Sequence, residues 1–536
     1  MVKYIRLGKI STIKQFCAIL SAYNITKSWW YNQMKSSGIL LHITSLPGKY
    51  GVGSFAEVDK FVSFMKAAKQ HYWQILPATP VDCVNSPYAS ASAFAGNYLF
   101  IDIEDLVRRG WLEPEDLEGK AIKGIDYQYA RSFKDEMLKK AFQNFDKQLS
   151  TVQYEEFVSE NSNWLEDYAL FSALKEHFSD ACWQDWPEDI RLREADAVAR
   201  YKDLLRDKRR YYKFVQYVFY TQWEDMRKKL RDADIRLIGD IPIYVAYDSA
   251  DVWSNPKQFQ LNEQRRPTWV AGVPPDYFSA DGQLWGNPLY NWQAMKKDNF
   301  SWWCSRIAHC AKMYDVVRID HFRAFDSYYA IKYGETTARK GEWNKGVGMA
   351  LLGLIREKFP DLEIIAEDLG DIPPSVIKLR DEAVLPGVKI FQFAFDGNPD
   401  NAFLPHCYPE LCIGYIGTHD NDTLMGWWES LDEDTRKTVI DYVKPQDGEA
   451  FNRAVIRKMM ESKANLVIFC MQDVAGQSGK YRMNLPGATG GWSYMASDAC
   501  FSGANASMLS QLTEMTNRTG FATLDKSTQT EGAENE

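Results

Sequence analysis

Eight short apolar runs, spaced far apart, constrain the fold of this chain more than any other feature of its sequence. They occupy residues 38–42, 72–76, 237–241, 316–320, 364–367, 388–393, 415–417 and 466–471. Runs this short and rich in β-branched residues read as strands buried on both faces, the signature of a parallel sheet. Between them lie stretches of helical spacing; Phe55, Val58, Phe61, Val62 and Met65, for example, share one helix face. Eight strands alternating with helices predict a (β/α)8 TIM barrel in the α/β class. A doubly wound sheet also fits the alternation, and the strand count favours the barrel.

The intervals are uneven, and that unevenness sets the expected domain organisation. Residues 1–33 precede the first strand pattern and are expected to be an N-terminal extension that the fold does not need. The barrel is expected over 34–520, interrupted twice. Residues 105–230 are charge-rich with helical spacing and read as a helical subdomain grafted onto a barrel loop. Residues 244–299 are rich in Gly, Pro and aromatics and read as a long active-site loop. Residues 521–536 form a polar tail, and no separate C-terminal β-domain is expected.

Charge excludes some partners. With 63 Lys and Arg against 72 Asp and Glu, the net charge is −9 and no long basic block appears, which argues against nucleic acid. No stretch approaches the roughly 20 apolar residues of a membrane span. Nine cysteines show neither paired nor metal-finger spacing, so a reducing cytoplasm, no metal and no cofactor are expected.

Three of the runs end on, or just before, a carboxylate. Asp320 closes VVRID, Glu367 closes IIAE, and Asp420 follows YIGTH. Acids at the carboxyl ends of parallel strands stand on the rim where barrel enzymes place their chemistry. Paired carboxylates are what glycosidic bond cleavage needs, and a retaining enzyme sets them about 5–5.5 Å apart. Arg318 lies two residues before Asp320, on the same strand face, and is expected to orient that carboxylate and lower its pKa. Glu367, at the end of an apolar run, is expected to be partly desolvated, with its pKa raised as a general acid requires. Asp420, preceded by His419, can hold sugar hydroxyls and support positive charge in the transition state. Asp240 closes the third run and reads equally as a substrate contact or a structural acid.

These residues sit in long segments that resemble one family. LLHITSLPGKYGVG, SPYASASAFAGN, GDIPIYVAYDSADVW, GVPPDYFSADGQLWGNPLY, VRIDHFR, AEDLG, GTHDND and QDVAGQSGKYRMNLPG are together similar to the 4-α-glucanotransferases of the amylomaltase type, glycoside hydrolase family 77 of the α-amylase clan. The resemblance runs from about residue 38 to about residue 515. It implies a retaining double displacement on α-1,4-glucans and maltooligosaccharides, with Asp320 as nucleophile, Glu367 as acid/base and Asp420 as transition-state stabiliser. It further implies that Arg318 and His419 complete the polar ring around the sugar, that Tyr88 stacks on it, and that Asp276 and Trp285 line the cleft. An aromatic lid carrying Tyr277, Phe278, Trp285 and Tyr290 is expected to exclude water in favour of an acceptor sugar. His321 reads as a core or supporting residue. The rival readings are an α-amylase-type hydrolase and a non-catalytic glucan-binding protein.

Overall fold

The computed structural model describes residues 35–82, 84–147, 152–275, 279–486 and 490–520. In chain order its strands are β1 (Ser36–Leu40), β2 (Tyr72–Gln74), β3 (Arg236–Pro242), β4 (Trp269–Val273), β5 (Gln283–Pro288), β6 (Val316–Asp320), β7 (Ser327–Lys332), β8 (Gly341–Lys345), β9 (Glu363–Ala366), β10 (Gly387–Ile390), β11 (Cys412–Tyr415) and β12 (Leu466–Cys470). Eight of them pair in parallel in the order β10-β11-β12-β1-β2-β3-β6-β9. The Ala366 N–H donates to Pro386 O at 3.0 Å, across the gap between β9 and β10, and brings the sheet round to a nearly closed barrel. Each of the eight expected strands is one of these. The seventh starts earlier than expected, at Cys412, and stops at Tyr415, which leaves 416–420 free to turn over the barrel rim.

The barrel wall is apolar on both faces because helices cover its outside. Ile39, Trp73, Ile238, Val317, Ile365, Ile413 and Ile468 are fully buried. Helices Tyr127–Lys147 and Ser162–His177 lie within residues 105–230, and Arg206–Asp232 starts there and runs two residues past its expected end. On the last of these, Tyr211, Phe214, Val218, Phe219 and Trp223 recur at three to four residues and point inward. Phe219 meets Phe55 at 5.6 Å, and Trp223 meets Tyr314 at 5.8 Å. The helical insertion therefore shares one core with the barrel.

Residues 244–299 are more ordered than their composition suggests. They hold β4 and β5, which join β7 and β8 in an antiparallel sheet of order β5-β4-β7-β8. β4–β5 and β7–β8 are local antiparallel pairs, but the β4–β7 pairing that joins them reaches across β6 and has no local signal in the sequence. The adjacent Trp302 and Trp303 are buried core.

Arg518 closes the amino-end face of the barrel. It is fully buried, and its guanidinium donates to the carbonyls of Met460 at 2.7 Å, Ser36 at 3.1 Å, Ala464 at 2.9 Å and Ser462 at 3.0 Å. Burial pulls its pKa down to about 10, which still leaves it charged at neutral pH. Arg518→Ala would take the guanidinium donors away from these four buried carbonyls, and we expect it to cost about 3 kcal/mol or more. A urea unfolding midpoint equal to that of the parent would refute this.

Candidate active site

The β6–β9 ladder carries two of the acids to the rim and continues past the strands. Glu367 N donates to Ile319 O at 3.1 Å, and Phe322 N donates to Glu367 O at 3.0 Å. Asp320 is the last residue of β6, and the next residue, His321, has a left-handed backbone with φ of 53°. For a non-glycine residue that conformation costs about 1 kcal/mol or more. It turns the chain sharply and aims the His321 N–H at Glu367 Oε2, 2.7 Å away. The Leu369 N–H donates to the other oxygen at 2.9 Å. Two amides thus fix the Glu367 carboxyl in place.

Arg318 lies deeper in the same strand and bridges two acids. Its Nη1 is 2.6 Å from Asp240 Oδ2 and 3.0 Å from Asp320 Oδ1. Asp240 has no exposed side-chain surface, and its Oδ2 also accepts from the Tyr88 hydroxyl at 2.7 Å. The same hydroxyl oxygen, Tyr88 Oη, lies 2.9 Å from His419 Nε2. The single hydroxyl proton goes to the carboxylate, which can only accept, so His419 Nε2 must carry the proton in the bond to Tyr88. The Tyr88 and His419 rings lie 5.3 Å apart at 13°, and Trp492 tilts against both. This gives a flat aromatic floor beside a row of acids.

Asp420 follows His419 in the turn after β11. Asn484 Nδ2 donates to its Oδ1 at 2.6 Å, and Arg482 Nη2 donates to its carbonyl at 2.6 Å. Both partners lie more than sixty residues away in sequence. Neither was singled out in the sequence, although both lie in the RMNLPG segment quoted above.

Burial raises the Asp320 carboxyl well above the ordinary carboxylate range; Arg318 opposes this, while Asp240, Glu367 and Asp420 add to it. The expected lowering by Arg318 is therefore outweighed, because one guanidinium shared by two carboxylates cannot offset desolvation and three like charges. Glu367 is also raised by burial, against Arg318 and the two amides, in the expected direction. Burial lowers His419, and it lowers His321 to about 3 and His42 to about 3, so both of the latter rings are neutral at neutral pH. Burial raises the Tyr88 phenol, which stays a donor.

Asp320, His321, Asp420, Tyr88, Trp285 and Asn484 line one cleft of about 620 Å³. Trp285 comes from β5, is 37% exposed, and stands edge-on to His321 at 4.8 Å. Arg318 and His419 are almost fully buried beneath the cleft. Asp240, expected as a possible substrate contact, has no surface to offer and reaches the cleft only through Tyr88 and Arg318. Asp276 and Phe278 lie outside the described residues. Among the described residues, no group of three or more His, Cys, Asp or Glu is placed to hold a metal ion. Nor is any described helix long and apolar enough to cross a membrane.

The chain as a whole is similar to known proteins. A family model described as 4-alpha-glucanotransferase matches residues 41–499. A 4-alpha-glucanotransferase of Clostridium butyricum is 42% identical over 486 residues, covering 89% of this chain and 100% of the relative. One from Thermus thermophilus is 40% identical over 496 residues, covering 90% and 99%. The structure of an amylomaltase from Streptococcus agalactiae in complex with acarbose superposes with a TM-score of 0.88 at 38% identity, covering 90% of this chain and 99% of that one.

Proposed function

The chain belongs to the 4-alpha-glucanotransferase family and is a glycosyl-transferring enzyme; from that premise we propose how its cleft carries out the transfer. The substrates are α-1,4-glucans and maltooligosaccharides. Asp320 attacks C1 of the glucosyl unit held at the cleft floor, and the C1–O4 bond breaks as Glu367 passes its proton to the leaving oxygen. The reducing-end piece departs, leaving a glycosyl ester on Asp320. The 4-hydroxyl of a second glucan then loses its proton to Glu367 and attacks C1, which frees Asp320. Two inversions retain the α configuration.

The remaining residues set the stage. Arg318 steadies the charge on Asp320, and Asp240 holds Arg318 from behind. The Tyr88 ring, backed by the buried His419 ring, offers the sugar an apolar face. Asp420 faces the hydroxyls and the developing positive charge. The observation that carries this reading is the convergence of Asp320, Asp420, Tyr88 and Trp285 on one cleft. Residues 105–230 act as a helical cover on the barrel and 244–299 as the wall of the cleft.

Transfer rather than hydrolysis requires that an acceptor outcompete water. The β4–β5 pair brings Trp285 to the cleft beside His321, where the indole can hold an acceptor ring and displace water. Incubation with maltotriose alone should yield glucose and a ladder of longer oligosaccharides. Glucose and maltose without the ladder would mean a hydrolase. In the same incubation Trp285→Ala should shift the products toward hydrolysis by about tenfold, a loss of roughly 1.4 kcal/mol of acceptor preference; an unchanged ladder would remove the role given to Trp285.

A further inference from the structure

We propose that Asn484 is a positioning residue that sets the rotamer of Asp420 and so decides how that carboxylate meets the sugar. The proposal rests on the assignment of Asp420 made above. Asp420 keeps 45% of its side-chain surface exposed, and a carboxylate so exposed has several rotamers of similar energy. The 2.6 Å bond from Asn484 Nδ2 to Oδ1 selects one. The other oxygen, Oδ2, stands 3.5 Å from His419 Nε2, beyond normal hydrogen-bond length. One oxygen is therefore held by the protein while the other faces substrate hydroxyls.

Asn484 is itself held in place. Its backbone N–H donates to His419 O at 3.2 Å, and Arg482 Nε donates to its carbonyl at 2.7 Å. With the Arg482 bond to the Asp420 carbonyl, residues 482–484 and 419–420 form one unit. Asn484 also lines the cleft, next to the half-exposed Leu485. An amide suits this position chemically. It donates to an ionised carboxylate without adding charge to a site where Asp240, Asp320, Glu367 and Asp420 surround a single buried guanidinium, Arg318. A carboxylate in its place would make Asp420 half of a like-charged pair that keeps one proton.

Two variants test this on the full chain with maltotriose. Asn484→Ala removes the donor, and kcat should fall about 100-fold with KM within about threefold, as when one preorganised donor is lost. Asn484→Asp keeps the shape and replaces the donor with an acid. The acid limb of its kcat/KM profile should move up by roughly one to two pH units, whereas that of Asn484→Ala stays at the parent position. The groups facing Asp420, namely Asp320, Arg318, His419 and Arg482, are the same in both variants. Parent-like kcat in Asn484→Ala, or equal losses in both variants with an unmoved acid limb, would overturn the proposal. Asp420→Asn separates it from the underlying assignment: full turnover in that variant would mean that Asp420 does not serve the sugar at all.

Discussion

Asp320→Asn is expected to lower turnover of maltotriose by at least about 10⁴-fold while leaving affinity for maltooligosaccharides within about threefold. The substitution keeps the size of the side chain and an oxygen for Arg318, but an amide cannot form the glycosyl ester. Structural damage should be slight, because Arg318 retains its 2.6 Å bond to the buried Asp240. The change also relieves Asp240, Glu367 and Asp420 of a like charge. Initial rates together with calorimetric titration of maltooligosaccharides check both halves. A variant with a tenth of parental activity would remove Asp320 from the nucleophile role. In the parent enzyme, Asp320 must be ionised to attack. A raised carboxyl stays protonated to higher pH, so activity should be lost on acidification at a pH above the ordinary aspartate value of about 3.9.

Glu367→Gln should cut maltotriose turnover by about 10³-fold, because a sugar alkoxide leaves poorly without a proton. The same variant should form the glycosyl-enzyme from α-glucosyl fluoride within about tenfold of the parental rate, because fluoride leaves without protonation. The sign of the pH effect follows from the raised Glu367 carboxyl. It stays protonated to higher pH than an ordinary glutamate, so bond cleavage is fully supported below its pKa and fails as pH rises through it. That basic limb should vanish in Glu367→Gln. Equal losses on maltotriose and on the fluoride would mean that Glu367 supports the fold of the site rather than moving a proton. Because both of its oxygens accept backbone amides, melting curves of the variant belong in the same experiment.

The barrel could be read from sequence because parallel strands are buried on both faces and appear as unbroken apolar runs. The acids could be read because each interrupts or follows such a run at its carboxyl end. Arg318 could be placed because a two-residue step on a strand keeps to one face, and the 3.0 Å contact with Asp320 reflects that. What stayed hidden depends on partners distant in sequence. The Asn484–Asp420 bond spans 64 residues, and β4 pairs with a strand that follows β6. The direction of the Asp320 shift depended on how many groups share Arg318, and Asp240 enters that count only once β3 and β6 are in register, with Asp240 opposite Arg318.

The Arg518 clasp has a practical consequence. It joins the residues that follow the last described helix, Gly503–Met515, to those that lead into β12 and to the first residue of β1, where Lys35 also donates to Ser462 O at 2.8 Å. Both ends of the described chain thus lie at the face opposite the cleft. An enzyme tethered to a solid support through a linker fused after residue 520 would present its open mouth to the surrounding liquid. Bulky polymeric starch should then be converted by the immobilised protein nearly as fast as by the free one, whereas attachment through the β4–β5 wall would block its approach.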